Sequence, residues 1–430
     1  MIYNLKLLHN RNFLKLWTAQ VFSQIAIHSI NFILIIKTYS LTNTNRSVSF
    51  LILATGLAAF LFGVPAGVLS DHLNRKSTLF WTSIIRFFGV ICLLFVSNYF
   101  IGILVFAFLL NSISQFFFPS EASSIPSLVK KENLISANSL FSITYYVSQV
   151  FGYLLAALIL SGFEYTNSML LFSIMFLIAS FFIKGIIYPI SDRNKTSNRM
   201  KVKKLIHLLK NDYNDTILNI KEEFKKGFKI IKSNYNVKTA FIYLTVLQVI
   251  IGVVASLMPG FAVEILNVSA EKASLYMVAP LVIGLLIGST LLSKLGEKVN
   301  ERYALDIGIF LAILGFLIVF YLPIWDLKSV NLNKYLLAII AMFLIGFANS
   351  MVYVISNTQL QKNVKEGLLG RLYGLLQTSV TVSGALPVFL GGFLADIIGV
   401  NYIFLAVAIA IFIMHTSIVF IFPYFNKIKV

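Results

Sequence analysis

The sequence predicts an all-α membrane protein with twelve transmembrane helices in two pseudo-symmetric six-helix bundles. Three observations carry that prediction. Apolar runs of about 20 residues, the length that crosses a hydrocarbon core, recur along the whole chain. Of 430 residues, 58% are hydrophobic and only 12% charged, against about 45–50% and about 25% in soluble domains; mean hydropathy is +0.84. The one long polar stretch, 190–238, divides the runs into six and six. The expected units are therefore an N-terminal bundle (1–189), a cytoplasmic linker (190–238) and a C-terminal bundle (239–430).

The N-terminus, "MIYNLKLLHNRNFLKLW", has no small-residue cleavage site after a short apolar core, so it reads as a cytoplasmic arm rather than a signal peptide. Beyond Lys15 at its start, the first span, 13–39, carries only uncharged polar residues until Lys37 near its end, where a long side chain snorkels. The second, 47–70, holds Gly63 and Gly67 and stops at Ser70-Asp71. The third, 77–97, encloses Arg86 and the single cysteine, Cys92. The fourth is placed at 99–119, the fifth at 137–161 and the sixth at 167–189, with Lys184 near its end. The second half repeats the plan at 239–263, 272–293, 303–322, 334–356, 370–393 and 401–424. Glu264 and Asp396 fall near outer ends of spans.

Loop charges set the orientation. Lys6, Arg11, Lys15, Arg75, Lys76, Lys130, Lys131, Lys294, Lys298, Arg302, Lys362, Lys365, Arg371, Lys427 and Lys429 share one side with the basic linker. The other side receives only Arg46, Lys272, Lys328 and Lys334. By the positive-inside bias the first side is cytoplasmic, and both termini lie there. The net charge of +18 is thus explained by topology and not by nucleic-acid binding. In the linker, Ile217, Ile220, Phe224, Phe228 and Ile231 recur at helical spacing with lysines on the other faces. That pattern fits an amphipathic helix on the inner membrane surface or against the bundle, and a regulatory partner site is the alternative.

One cysteine excludes a disulfide framework or a cysteine-rich metal site. Phosphate-binding glycine loops, zinc-type histidine pairs and nucleophile elbows are absent from the sequence, so no enzyme chemistry, cofactor or metal is expected. Duplication is suggested by "SSIPSLVKKENLISANSLF" (123–141) and "TQLQKNVKEGLLGRLYGLL" (358–376), which align at a constant offset. GxxxG also occurs in the second and eighth spans, as Gly63/Gly67 and Gly284/Gly288.

The polar hinge "GVLSDHLNRK" resembles the signature loop of the major facilitator superfamily, with Gly67, Leu69, Asp71, Arg75 and Lys76 in register. Asn74 stands where that loop has a second glycine; asparagine tolerates a left-handed turn best among the other residues. The stretch "FFFPSEASSIPSLVKKENLISANSL" (116–140) is similar to the macrolide-efflux and siderophore-exporter branch. The resemblance implies a transporter working by alternating access. It places Asp71 against the positive start of the eleventh helix near Gly370-Arg371, a contact able to favour one of two states. Arg75 and Lys76 would pair with acids or headgroups, or serve only to fix orientation.

The same resemblance implies a substrate cavity at the midplane between halves. Its candidate lining is Gln24, Asn31, Asn111, Gln115, Tyr145, Tyr146 and Gln149, with Gln248, Asn349, Tyr353 and Gln377 in the second half. Each could instead be interhelical glue. The lining suits a neutral or cationic amphiphile better than a multivalent anion. Many relatives carry an acid on the first helix where this chain has Ile27, followed by His28, and an acid three residues before Arg86 where it has Ser83. No carboxylate is expected at mid-membrane, so His28 and Arg86 are the coupling candidates. Arg86 could also simply snorkel or be capped by carbonyls.

The leading expectation is a monomeric, secondary-active exporter of small amphiphilic compounds in the cell membrane, with protons the candidate coupling ion and lipid its surroundings. A lipid or lysolipid flippase on the same scaffold and a transport-inactive scaffold or sensor are the alternatives.

Overall fold

The computed structural model describes residues 9–130, 133–187, 231, 234–272, 274–295, 300–324, 333–364 and 366–421. The linker except Ile231, and hence most of its expected amphipathic helix, lies outside the described residues. Among the described residues twelve long helices follow in order: α1 (Arg11–Thr42), α2 (Asn45–His72), α3 (Arg75–Val96), α4 (Phe100–Leu128), α5 (Leu134–Gly162), α6 (Tyr165–Lys184), α7 (Tyr235–Gly260), α8 (Ala279–Leu295), α9 (Glu301–Tyr321), α10 (Lys334–Asn363), α11 (Glu366–Ile398) and α12 (Val400–Thr416). The described residues contain no strand. Among the described residues ten segments are long and apolar enough to cross a membrane, and α5 and α11 contribute the shorter apolar stretches Val147–Gly162 and Ser383–Ile398.

Several helices outrun their expected ends. The fourth span was placed at 99–119, yet α4 continues through Pro119 and Pro126 to Leu128. A proline is tolerated where neighbouring helices and Ser or Thr side chains satisfy the freed backbone groups. α10 likewise runs on through a polar turn to Asn363. π-helical turns extend α7 (Phe261–Ile265), precede α8 (Ser274–Val278) and extend α12 (Ser417–Ile421).

The chain forms two compact units. One holds α1, α2 from Leu53 onward, and α3–α6; the other holds α7–α12 together with Asn43–Ile52, the start of α2. Inside the first unit, α1 packs on α4, α5 and α6, and α3 packs on α4 and α6. Inside the second, α7 packs on α10, α11 and α12, and α9 packs on α10 and α12. Each pairing has its counterpart six helices later.

α1 is the central helix of its unit, with both apolar residues and Gln20, Ser23, Gln24, His28 and Ser29 buried. Its seam with α5 is close because Gly152 faces it: an added Cβ would lie 2.9 Å from the Cβ of His28. Three donors from α1 cross that seam: Trp17 Nε1 to Thr144 Oγ1 at 2.8 Å, Gln20 Nε2 to the Phe141 carbonyl at 3.1 Å, and Ser29 Oγ to the Gly152 carbonyl at 2.8 Å. In the second unit the tight seam is α8 on α10, where added methyls at Gly284, Gly288 and Gly346 would overlap Phe343, Ser350 and Leu281. Small residues there let two backbones approach and gain dispersion contact. The two expected GxxxG motifs are not equivalent, because a Cβ at Gly63 would meet nothing nearer than Gln115 Oε1 at 3.9 Å. Ile231, the described residue of the linker pattern, is buried with Val237, Phe241, Leu360 and Leu372.

Candidate functional site

The signature loop is shorter than the sequence suggests. α2 ends at His72 and α3 begins at Arg75, leaving Leu73 and Asn74 between them. Asn74 does not adopt a left-handed turn: its φ is −68°, and its side chain caps α3 by accepting from the Ser77 amide at 3.1 Å. Asparagine works here because a side-chain oxygen satisfies an amide that the helix leaves unpaired. Arg75 Nη1 donates to Ser127 Oγ of α4 at 2.9 Å, and Lys76 Nζ donates to the Ile186 carbonyl just beyond α6 at 2.7 Å. Lys15 reaches the neighbouring Gly185 carbonyl at 2.6 Å. Two cations thus sit on the negative end of α6, where a helix leaves carbonyls without partners. The side chains of Gly67, Asp71 and Arg371 lie outside the described residues, as does the expected contact of Asp71.

Arg86 neither snorkels nor stays at an end. It is 1% exposed, with its guanidinium 4.5 Å above the Phe117 ring and 4.6 Å above the Phe176 ring. Its Nε donates to the Thr82 carbonyl at 3.2 Å and its Nη2 to Ser83 Oγ at 3.5 Å. A buried acid also lies near it on α4, beyond the expected end of that span at 119. Glu121, one turn after Phe117 on α4, is 2% exposed and interacts electrostatically with Arg86. Three helices converge here: α3 with the cation, α4 with the acid and one ring, and α6 with the second ring. Glu121 was legible in "FFFPSEASS" and overlooked because the span was ended at Pro119. Glu121 Oε1 has no hydrogen-bond partner among the described residues.

The polar residues of the first unit divide in role. Asn31 and Asn111 pair with each other across α1 and α4, at 3.2 and 3.5 Å, and Gln115 Nε2 donates to the Asn111 carbonyl at 3.4 Å. Asn31 and Asn111 thus join α1 to α4, whereas the Gln115 bond stays within α4. His28 is buried between the edges of Tyr145 and Tyr153, with ring centroids at 5.6 and 6.2 Å. Its Nε2 has no hydrogen-bond partner among the described residues. Gln149 lies one turn before Tyr153 on α5, and Gln24 is buried on α1. In the second unit Gln248 on α7 and Asn349 and Tyr353 on α10 are half-buried, the last two one turn apart. The side chains of Tyr146 and Gln377 are outside the described residues.

A constellation not foreseen lies at the start of α2. Asn45, two residues before the expected start of the second span, is fully buried as the first residue of the helix. The Asp396 carboxylate of α11 accepts from the Asn45 amide at 2.7 Å, the Arg46 amide at 3.0 Å and Asn45 Nδ2 at 3.1 Å. Asn45 Nδ2 also donates to Glu264 Oε1 at 2.9 Å, and Ser49 Oγ to the Val388 carbonyl at 2.9 Å. Added methyls at Gly260 and Gly392 would overlap Asn45 and Ser49, so both glycines shape the seat. A carboxylate from α11 therefore caps the positive end of α2 from outside that helix. The sequence marked Glu264 and Asp396 as span-end acids; their common partner came only with the fold.

Two six-helix units of membrane-crossing helices with matched internal packing, enclosing buried charge and amides, define a polytopic membrane transporter. Residues 16–388 match the profile of the Major Facilitator Superfamily. The chain belongs to that superfamily. It is 24% identical over 360 residues, 82% of this chain and 81% of the relative, to the Bacillus subtilis (strain 168) protein named "Putative bacilysin exporter BacE". Among solved structures it is similar to the nucleoside transporter NupG, with a TM-score of 0.65 at 14% identity, over 95% of this chain and 98% of that one. It is also similar to a POT family transporter solved with 5-aminolevulinic acid, with a TM-score of 0.68 at 12% identity, over 98% and 97%.

Proposed function

We propose that the chain is a proton-coupled, secondary-active exporter of small amphiphilic compounds, working by alternating access. The observation that carries this reading is that Arg86 and Glu121 are both buried, 1% and 2% exposed, where α3, α4 and α6 meet. Ionisable groups there are costly and mark ion pathways or proton relays. Glu121 is the carboxylate that can bind and release a proton while the permanently charged Arg86 stays in place. His28 is a second titratable group on the same unit. The name of the relative BacE supports export as the direction.

The remaining uncharged groups, Gln24, Tyr145 and Gln149 with Gln248, Asn349 and Tyr353, supply hydrogen bonds and aromatic surface for a neutral or cationic amphiphile. Asp71, Arg75, Lys76 and Arg371 are assigned to a gate at the basic side, and release of Asn45 from Asp396 to the opposite step. Placement of Lys and Arg supports cytoplasmic termini and insertion in the cell membrane. No reaction chemistry is assigned.

The test is uptake of ethidium into inverted vesicles under an imposed pH gradient. Gradient-driven accumulation that is lost in Glu121→Gln supports the reading. Movement of a fluorescent lysolipid with no gradient dependence, and no dye uptake, would replace it with lipid translocation.

A further inference from the structure

The second unit holds a titratable chain that the transport reading does not use. Tyr243 of α7 lies with its hydroxyl 2.9 Å from Nδ1 of His415 near the end of α12. Nε2 of the same ring lies 3.4 Å from Oδ1 of Asp306 on α9. Three helices meet at one imidazole. We propose that Tyr243, His415 and Asp306 form a proton-binding site in which the charge on His415 sets how firmly α7 and α9 hold the end of α12.

The geometry accommodates both protonation states without moving a heavy atom. In the neutral ring, Nε2–H donates to the Asp306 carboxylate and Nδ1 accepts from the Tyr243 hydroxyl. In the imidazolium both nitrogens donate, and Tyr243 need only rotate its hydroxyl hydrogen to become an acceptor. The weak ring–carboxylate contact then becomes a charge-assisted one. Exchange with water is open, because the His415 and Asp306 side chains are 18% and 41% exposed.

The surroundings act on the added charge from each side. α9 brings Asp306, which attracts it, and Arg302, which repels it. α7 brings Tyr243, and also Tyr235, whose hydroxyl donates to the Ile418 carbonyl at 2.8 Å. α11 contributes Asp396, which is engaged with Asn45 and Arg46 at the far end of α12, about 22 Å away by helix rise. The π-helical turn near Phe261–Ile265 brings Glu264, engaged with the same Asn45. His415 also occupies the last turn of α12, where unpaired carbonyls favour a cation. Directly after it the backbone changes to a π-helical turn over Ser417–Ile421, a distortion that recurs at functional sites.

The experiment reads the proton itself and needs no substrate. Full-length protein with ring-15N histidine is titrated in nanodiscs, and the His415 signals, among five histidines, are those lost in His415→Gln. Wild type should show Nδ1 converting from acceptor to protonated nitrogen within the pH range over which the protein stays folded, and the transition should be displaced in Asp306→Asn. Deuterium exchange of the α12 end should slow as the site protonates and become independent of pH in His415→Gln. A His415 ring that does not titrate in that window, or an exchange rate at the α12 end that follows pH equally in wild type and His415→Gln, would overturn the proposal. Folding of the variant is checked by unchanged exchange in α1 and α5 of the other unit.

Discussion

Replacing Asp396 with asparagine tests the cap on α2 most directly. The substitution keeps the volume of the side chain and removes its charge and one acceptor oxygen. In the native site two oxygens accept from the Asn45 and Arg46 amides at 2.7 and 3.0 Å. Asparagine offers one oxygen, and its amide nitrogen meets the second backbone donor as another donor. The loss is one hydrogen bond to a charged group, about 1.5–3 kcal/mol, plus a charge–dipole contribution of about 0.3–1 kcal/mol. The total, about 2–4 kcal/mol, corresponds to about a 30- to 700-fold rise in the released fraction of this segment. Deuterium exchange of a peptide covering 43–52 in purified protein reads that fraction. Exchange of the Asn45 and Arg46 amides should accelerate at least about tenfold, while α1 and α5 peptides stay as in wild type. Exchange within about twofold of wild type would refute the assignment of Asp396 as the cap.

Arg86→Met leaves Glu121 without its cation and should cost about 3–5 kcal/mol, whereas Arg86→Met combined with Glu121→Gln should recover most of it, as read by unfolding in detergent. Asn74→Ala should destabilise the start of α3 by about 0.5–2 kcal/mol and Asn74→Gly by only a few tenths, because the lost interaction is a cap and not a left-handed turn; exchange of the Ser77 amide checks this. Gly346→Val should abolish accumulation of folded protein, since the added side chain overlaps the Leu281 backbone, while Gly63→Ala should leave the yield and melting point near wild type. Ethidium uptake driven by a pH gradient should survive His28→Gln if Glu121 carries the coupling proton, and its loss in that variant would transfer the role to the histidine.

Sequence alone determined the class of the molecule, because apolar length and loop charge are summed over many residues and survive errors at any one of them. It also determined the two-fold plan and the signature loop around Arg75 and Lys76. It misplaced the end of α4, since a proline stops a helix in water but not among helices that resatisfy its backbone. That single boundary left Glu121 outside the expected span. Asn31 and Asn111 show the complementary limit: their residue type marks an obligation to find a partner, not which partner. Only the tertiary structure decided that they meet each other, that Asp396 caps α2 across 351 residues, and that His415 joins Tyr243 to Asp306. Those pairings depend on which faces of separate helices are turned together. A buried polar group must be satisfied, but the sequence carries that demand at one position and its answer at another, with no periodicity linking the two.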